Sequence, residues 1–452
     1  MKKGTVTAFL SLIFILLMSV VASVIESASI QVMKNRRRGD MDRALESVFA
    51  EYQRDMLEEL DVFSLEGTYG TGEFSEEKIT ERLEFYGMKE TDLKMEKIQF
   101  LTDESGRPFR EQVIAYMKHR VGVSQIEELA GLTGAWKEQA GKNEQYEQEE
   151  TNVGTQLEEA LKAEEQTLPD KDNPIGIVFS LKKAGILNIV MKDKQVSERA
   201  VDSGGMLSHR TLRKGKGSFK IRDDTDSMTS KLYFASYLLE KFCAADVPYE
   251  EGKLSYELEY ILNGGESDRE NLESVLRKLS AIRLVANYSY LLTDGEKKAE
   301  AGAMAAALAG IIALPALTEL IRQGILLAWA YGESVMDLRT LLSGGRVSLA
   351  KTRNEWKLSL AGLLKLGTEE DTGASENTKN GLSYKEYLRM LLTFEDQDAC
   401  TMRSLEILEM RMQKKLGEWF RADHCISKIG VKANCKLRRG IFYEFTTEYG
   451  YQ

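Results

Sequence analysis

The side chains best able to do chemistry in this chain are few and far apart. Three histidines, His119, His209 and His424, stand without a spacing that would bring two of them to one metal ion. The four cysteines, Cys243, Cys400, Cys425 and Cys435, form no CxxC pair. His424 and Cys425 are neighbours, but adjacent residues on a strand point to opposite faces, so they make no nucleophile–base dyad. No HExxH, phosphate-binding glycine loop, GxSxG elbow or dinucleotide fingerprint occurs. The residues therefore point to no catalytic group, no metal ligand set and no cofactor. Four cysteines are also too few for a disulfide framework. They read as buried thiols, with Cys425 and Cys435 the one pair placed to close outside a cell.

One compact basic stretch stands out, HRTLRKGKGSFKIR from His209 to Arg222. Its cations Arg210, Arg213, Lys214, Lys216, Lys220 and Arg222 suit lipid headgroups, cell-wall phosphates or an acidic partner; the plainer alternative is a solvated basic loop. Aromatic residues are not interleaved for base stacking. The whole chain carries a formal charge of −10, which argues against a nucleic-acid partner.

The elements that must position such groups begin with MKKGTVTAFLSLIFILLMSVVASVIESASIQVMKNRRRGD. Val6 to Ile25 is twenty residues without a charge, about 30 Å of helix, the thickness of a bilayer's hydrocarbon core. A secretory signal has a shorter apolar core. The expected anchor occupies residues 1–30. Met41, Leu45, Val48, Tyr52, Met56, Leu60 and Phe63 then recur at helical spacing, predicting an amphipathic stalk over 31–66. Basic residues flank the run on both sides, so charge alone sets no orientation.

Further along, 67–136 reads as a small mixed segment, with DLKMEKIQFL a strand and Pro108 opening a helix. The stretch 137–173 is crowded with Glu and Gln and poor in branched apolar residues, and it reads as a solvated helix or an acidic linker. Residues 174–452 form the main domain. Ser267 with Glu270 and Ser383 with Glu386 have capping-box spacing, and KLSYELEYIL before NGG alternates like a strand. AGAMAAALAGIIALPALT, Ala301 to Thr318, is long enough for a membrane but rich in Ala and Gly, which favours a buried helical hairpin. The tail from Cys425 predicts a closing β-hairpin. The fold class is α+β, mostly helical, with short strands.

KGTVTAFLSL with ESASIQ, SVFAEYQRDMLEELDVF, NPIGIVFSLKKAGILNIVM, LSYELEYILNGGESDRENLESVLRKLSAIRLVANYSYLL and GLSYKEYLRMLL together resemble an uncharacterised membrane-anchored family of Gram-positive bacteria associated with Tad-type (Flp) pilus assembly. The anchor is also similar to those of TadE/TadG-like pseudopilins and, more distantly, of type IV prepilins. The resemblance implies a non-catalytic, minor pilin-like accessory subunit at the cell membrane, single-pass, with its soluble region outside the cytoplasm and other pilus-assembly proteins as partners. It implies processing between Gly4 and Thr5. The prepilin glutamate five residues beyond such a cut is replaced here by Phe9, whereas Glu26 resembles the acidic residue that closes a TadE-type anchor and could pair with a neighbouring helix. The reading from another class is an envelope enzyme or solute-binding receptor whose pocket carries no motif.

Overall fold

A computed structural model describes residues 3–192, 194–220, 224–371, 373 and 381–451. Its helices are α1 (Lys3–Phe49), α2 (Arg54–Leu60), α3 (Glu76–Leu83), α4 (Asp103–Arg120), α5 (Val123–Ala163), α6 (Pro174–Ala184), α7 (Ile186–Met191), α8 (Met228–Lys241), α9 (Glu257–Asn263), α10 (Asp268–Thr293), α11 (Gly295–Ile311), α12 (Thr318–Leu342), α13 (Leu360–Leu363), α14 (Tyr384–Phe394) and α15 (Gln397–Leu416). The strands are β1 (Leu65–Glu66), β2 (Thr91–Phe100), β3 (Arg346–Val347), β4 (Leu382–Ser383), β5 (Cys425–Lys436) and β6 (Phe442–Gly450). The architecture is α+β, as expected. The chain folds into two compact units, one made of 1–115, 211–223 and 408–452, the other of 116–210 and 224–407.

In unit 1, β5 is the organising strand. It pairs antiparallel with β1, β2 and β6, and its residues are buried almost without interruption, because both of its long edges and one face are covered. The expected hairpin is present as β5–β6. Against this sheet lies the second half of α1, whose Met41, Ala44, Leu45, Val48 and Phe49 share one apolar core with Met95, Ile98, Phe100, Ile429 and Val431. The stalk helix stops at Phe49, and Met56 and Leu60 are buried from the separate helix α2. The strand at DLKMEKIQFL is β2, and Pro108 lies within α4.

Unit 2 is helical. Its α12 is buried along its whole second half, Gly324 to Leu342, because α10 and α11 pack on it together with α5, α6 and α7. Ala301, Ala305, Leu308 and Ala309 are the buried face of α11, so the Ala-rich segment is the first arm of a helical hairpin with α12. Ser267 accepts from the Glu270 N–H at 3.2 Å, and Ser383 and Glu386 cap each other reciprocally. Two expectations change. KLSYELEYIL is not a strand: Glu257–Asn263 is a helix, and Gly264, at φ 74, is the left-handed residue that ends it. Nor is 137–173 a separate linker. Within α5, Trp136, Val153 and Leu157 are buried, and the acidic face is bonded down. The Tyr288 hydroxyl donates to Glu149 at 2.9 Å, Tyr146 and Ser289 are 3.1 Å apart, and Lys182 pairs with Glu150. Sparse apolar contacts suffice when neighbouring helices supply the polar partners. The 174–452 block is divided too, since 211–223 and 408–452 belong to unit 1. Pairing of β5 with β1 and β2, more than 300 residues away, leaves no local trace in sequence.

Candidate functional site

The most unusual surface in the molecule is the first half of α1. Phe9 is 64% exposed, Leu17 56% and Ile25 63%, whereas Met41, Leu45 and Val48 on the same helix are at 0%. An 18-residue window in it is apolar enough to cross a membrane, and none of that window is buried. An exposed apolar surface of this size marks a site of contact with a membrane or another protein. The helix has the length and composition of a membrane anchor or of a signal sequence. Among the described residues it is the single helix with that character.

Gly4 is exposed, and both Gly4 and Thr5 lie within the first turns of α1. Glu26 is half-buried, one residue past the uncharged run. Beyond it the basic block turns toward the sheet. The Lys34 ammonium sits 5.0 Å from the centre of the Tyr443 ring, and the Arg38 guanidinium 5.6 Å from Tyr443 and 5.9 Å from Phe445. Cation–π contacts of this kind favour a fixed rather than a swinging side chain.

The basic stretch is divided between the two units. Arg210 belongs to unit 2 and donates to the Gly205 carbonyl at 3.2 Å, Arg222 lies outside the described residues, and the others are in unit 1. There the segment is tied to the protein by carboxylates. The Arg213 backbone N–H donates to Asp423 at 2.9 Å, the Gly215 N–H donates to Asp103 at 2.9 Å, and Lys216 pairs with Glu76 at 2.6 Å. Lys216 also bridges backbone to backbone with Ile98, extending the sheet by one residue. Gly215 has to be glycine, since a Cβ there would lie 2.2 Å from the Ile98 carbonyl oxygen. Burial raises the Asp103 carboxyl above its ordinary range, and the Gly215 and Phe100 N–H groups oppose that. Lys214 is exposed, and Lys220 lines a cleft of about 490 Å³ with Phe63, Phe219, Lys428 and Tyr451.

A second cleft, of about 590 Å³, is lined by Phe74, Arg213, Trp419, Arg421 and His424, with Glu73 and Glu418 at its sides. The Arg213 guanidinium stacks over Phe74 at 4.6 Å. Burial lowers the His424 pKa, Asp423 opposes the shift, and Arg213 and Arg421 add to it, so the imidazole is held neutral near pH 7. Its Nδ1 is buried without a hydrogen-bond partner. Next to it, burial raises the Cys425 thiol well above its ordinary range, which keeps it from forming a nucleophilic thiolate.

All four cysteines are free. Cys425 and Cys435 stand at the two ends of β5, about 33 Å apart along an extended strand, so the pairing considered from sequence is excluded by geometry. Among the described residues no group of three or more His, Cys, Asp or Glu converges as metal ligands would.

In unit 2 the polar groups are spent on one another. Arg283, fully buried, donates to Asp337 at 2.9 Å, to the Ser348 and Leu349 carbonyls and to Tyr387. Lys351 pairs with Asp337 at 2.7 Å and with Glu333, which also accepts from the Leu358 N–H at 2.8 Å. Burial works to raise the Asp337 pKa, but Arg283 and Lys351 together hold it below the ordinary range. No part of this network was legible from spacing, because its partners come from separate helices and loops. The signal available was a handful of charged residues within otherwise apolar helical runs.

What fold and surface define is a class: an α+β protein carried on a long apolar N-terminal helix that is packed at one end and bare at the other. The model of a family of unknown function, DUF5702, matches residues 164–437, more than half of the chain, and the chain belongs to that family. No curated protein and no solved structure matches it.

Proposed function

We propose that the protein is a non-catalytic accessory subunit, minor and pilin-like, of a Tad-type pilus or related secretion apparatus. It is held in the cell membrane by a single pass through Val6–Ile25, with both folded units outside the cytoplasm. The observation that supports this reading is the change of solvent along one unbroken helix. Its first half offers lipid or neighbouring apolar helices a bare surface, and its second half is part of a folded core. The pilus context comes from the resemblance of the anchor and of the later segments quoted above. The protein then works by packing rather than by chemistry. Its span assembles with similar spans, and unit 1 is joined to that span through the buried end of α1.

The test is fractionation with identification of the mature N-terminus. The intact chain is expected in the membrane pellet, resistant to alkaline wash and cross-linked to pilus-assembly proteins. Intact chain in the soluble fraction without detergent overturns the anchor. Retention in the membrane with no pilus protein cross-linked overturns the assembly role alone. A chain starting at Lys34 is expected to be soluble and folded, because it keeps Met41 in the core of unit 1.

A further inference from the structure

β6 runs in the same direction as α1. Lys34 and Arg38 lie over Tyr443, near the start of the strand, and the Phe49 ring lies 5.1 Å from Tyr449 and 4.9 Å from Tyr451 at its end. Tyr443 pairs with Cys435, so the turn joining β5 to β6 projects beyond Tyr443 toward the bare half of α1. The height of that turn follows from helix geometry. Lys34 is nine residues past Ile25, about 13 Å of rise, and helical side chains lean back toward the N-terminus. Tyr443 thus stands roughly 10 Å beyond the end of the uncharged run. Phe442 comes nearer by about 3 Å, and the chain closes just beyond it through the Leu437–Ile441 hydrogen bond and the single helical turn Arg438–Gly440. A headgroup layer is roughly 5–7 Å deep on each side of the hydrocarbon. The turn falls in or against that layer.

The composition of the turn matches that position. Phe442 is 68% exposed, with its ring directed away from the core that holds Phe445. Lys436, which pairs with Phe442, and Arg438 are exposed beside it, and Lys34 and Arg38 reach the same end of the strand from α1. The acidic groups nearby are Glu90, next to the strand residue that pairs with Cys435, Asp92, which pairs with Asn434, and Glu444, which is paired to Lys432 at 2.6 Å. The local balance is cationic in a chain that is acidic overall.

We propose that the β5–β6 turn is a second membrane contact, in which Phe442 enters the interface and Lys436 and Arg438 meet anionic lipid headgroups. The inference rests on the reading of Val6–Ile25 as a bilayer span. An exposed aromatic ring with adjacent cations is the combination that binds an anionic surface by apolar insertion and charge together. The contact would hold unit 1 at a fixed tilt on the membrane.

The test uses the full chain in vesicles of phosphatidylcholine, with and without phosphatidylglycerol, carrying a nitroxide at Phe442→Cys. A label at Glu448→Cys, about 20 Å along the strand, is the aqueous reference. The label at 442 is expected to be reached by oxygen and shielded from a water-soluble nickel chelate, more strongly in the anionic vesicles, while the label at 448 stays accessible to the chelate. Lys436→Glu and Arg438→Glu are each expected to lower the shielded population about fivefold in the anionic vesicles. Equal chelate access at 442 and 448, with the chain still in the bilayer, overturns the second contact and leaves the span standing. Release of the chain from the vesicles by alkaline wash overturns the span and this contact with it.

Discussion

Unit 1 and unit 2 both place carboxylates where water does not reach freely, and they use them in opposite ways. In unit 2 the buried charges are closed on themselves: Arg283, Asp337, Lys351 and Glu333 balance in sign and are almost saturated with hydrogen bonds. In unit 1 the buried Asp423 and the part-buried Asp103, helped by the more open Glu76, hold down one crossing segment from its margins. At its β5–β6 turn unit 1 also exposes Phe442, Lys436 and Arg438. Charge specifies the fold in one unit and dresses a surface in the other, so damage in the first should be global and damage in the second local.

The comparison is most exposed to Asp337→Ala. It leaves Arg283 and part of the charge of Lys351 uncompensated at full burial, and a loss of about 3–5 kcal/mol is expected in chemical denaturation. A loss below about 1 kcal/mol would mean that the network is not closed, and the contrast with unit 1 would fall.

Next in size is Glu259, fully buried in unit 2, whose carboxylate accepts from the Tyr384 hydroxyl at 2.8 Å and the Ala245 N–H at 2.9 Å. Burial outweighs those bonds and raises its pKa to about 7. A carboxyl raised in the folded state binds its proton more tightly there than in the unfolded chain. Its contribution is therefore full below the unfolded value near 4.5 and is lost as pH rises through about 7. At most, on the order of 3 kcal/mol is at stake. The wild type should lose stability across that interval, and Glu259→Gln should flatten the loss. Parallel pH profiles for the two would remove Glu259 as the cause.

How much of this was legible in the sequence differs between the same two regions. The exposed half of α1 was plain, because twenty uncharged residues satisfy a length criterion that needs no tertiary knowledge. Helix caps at Ser267 and Ser383 were plain for a similar reason, since their bonds are local. KLSYELEYIL misled because alternation is a weak signal when both faces are buried; Glu257 and Glu259 occupy core positions only because the Cys243 and Ala245 N–H groups meet them there. The Glu/Gln-rich part of α5 misled because its partners, Tyr288, Ser289 and Lys182, lie on other helices. The basic stretch was visible as charge, but its division between Arg210 in one unit and Arg213 to Lys220 in the other was not.

Smaller effects sharpen the picture of unit 1. Asp423→Asn weakens the hold on the Arg213 N–H and should cost about 1 kcal/mol, with faster tryptic cleavage at Lys214 while the helices of unit 2 stay resistant. Cleavage no faster than in wild type would show that Asp103 and Glu76 hold the segment unaided. The smallest effect on folding is expected at Glu26→Gln, which should leave membrane retention and thermal stability unchanged. Under the proposed function it should lower the yield of cross-linked pilus partners, because a charge facing a neighbouring span is lost. Identical yields at matched expression would leave Glu26 as a marker of the membrane surface alone.

α1 has one more consequence, a mechanical one. It runs 47 residues, roughly 70 Å, without a proline, and passes from bare span to buried core with no flexible joint. A head on a slack tether turns freely and feels only tension. A head grown from a stiff rod inherits the rod's tilt and rotation, and a pull along the rod arrives as shear between α1 and the sheet, spread over Met41, Leu45 and Val48 at once. Apolar contacts loaded together in shear resist far more than the same contacts peeled one by one, so under the proposed function the join between anchor and head bears a load.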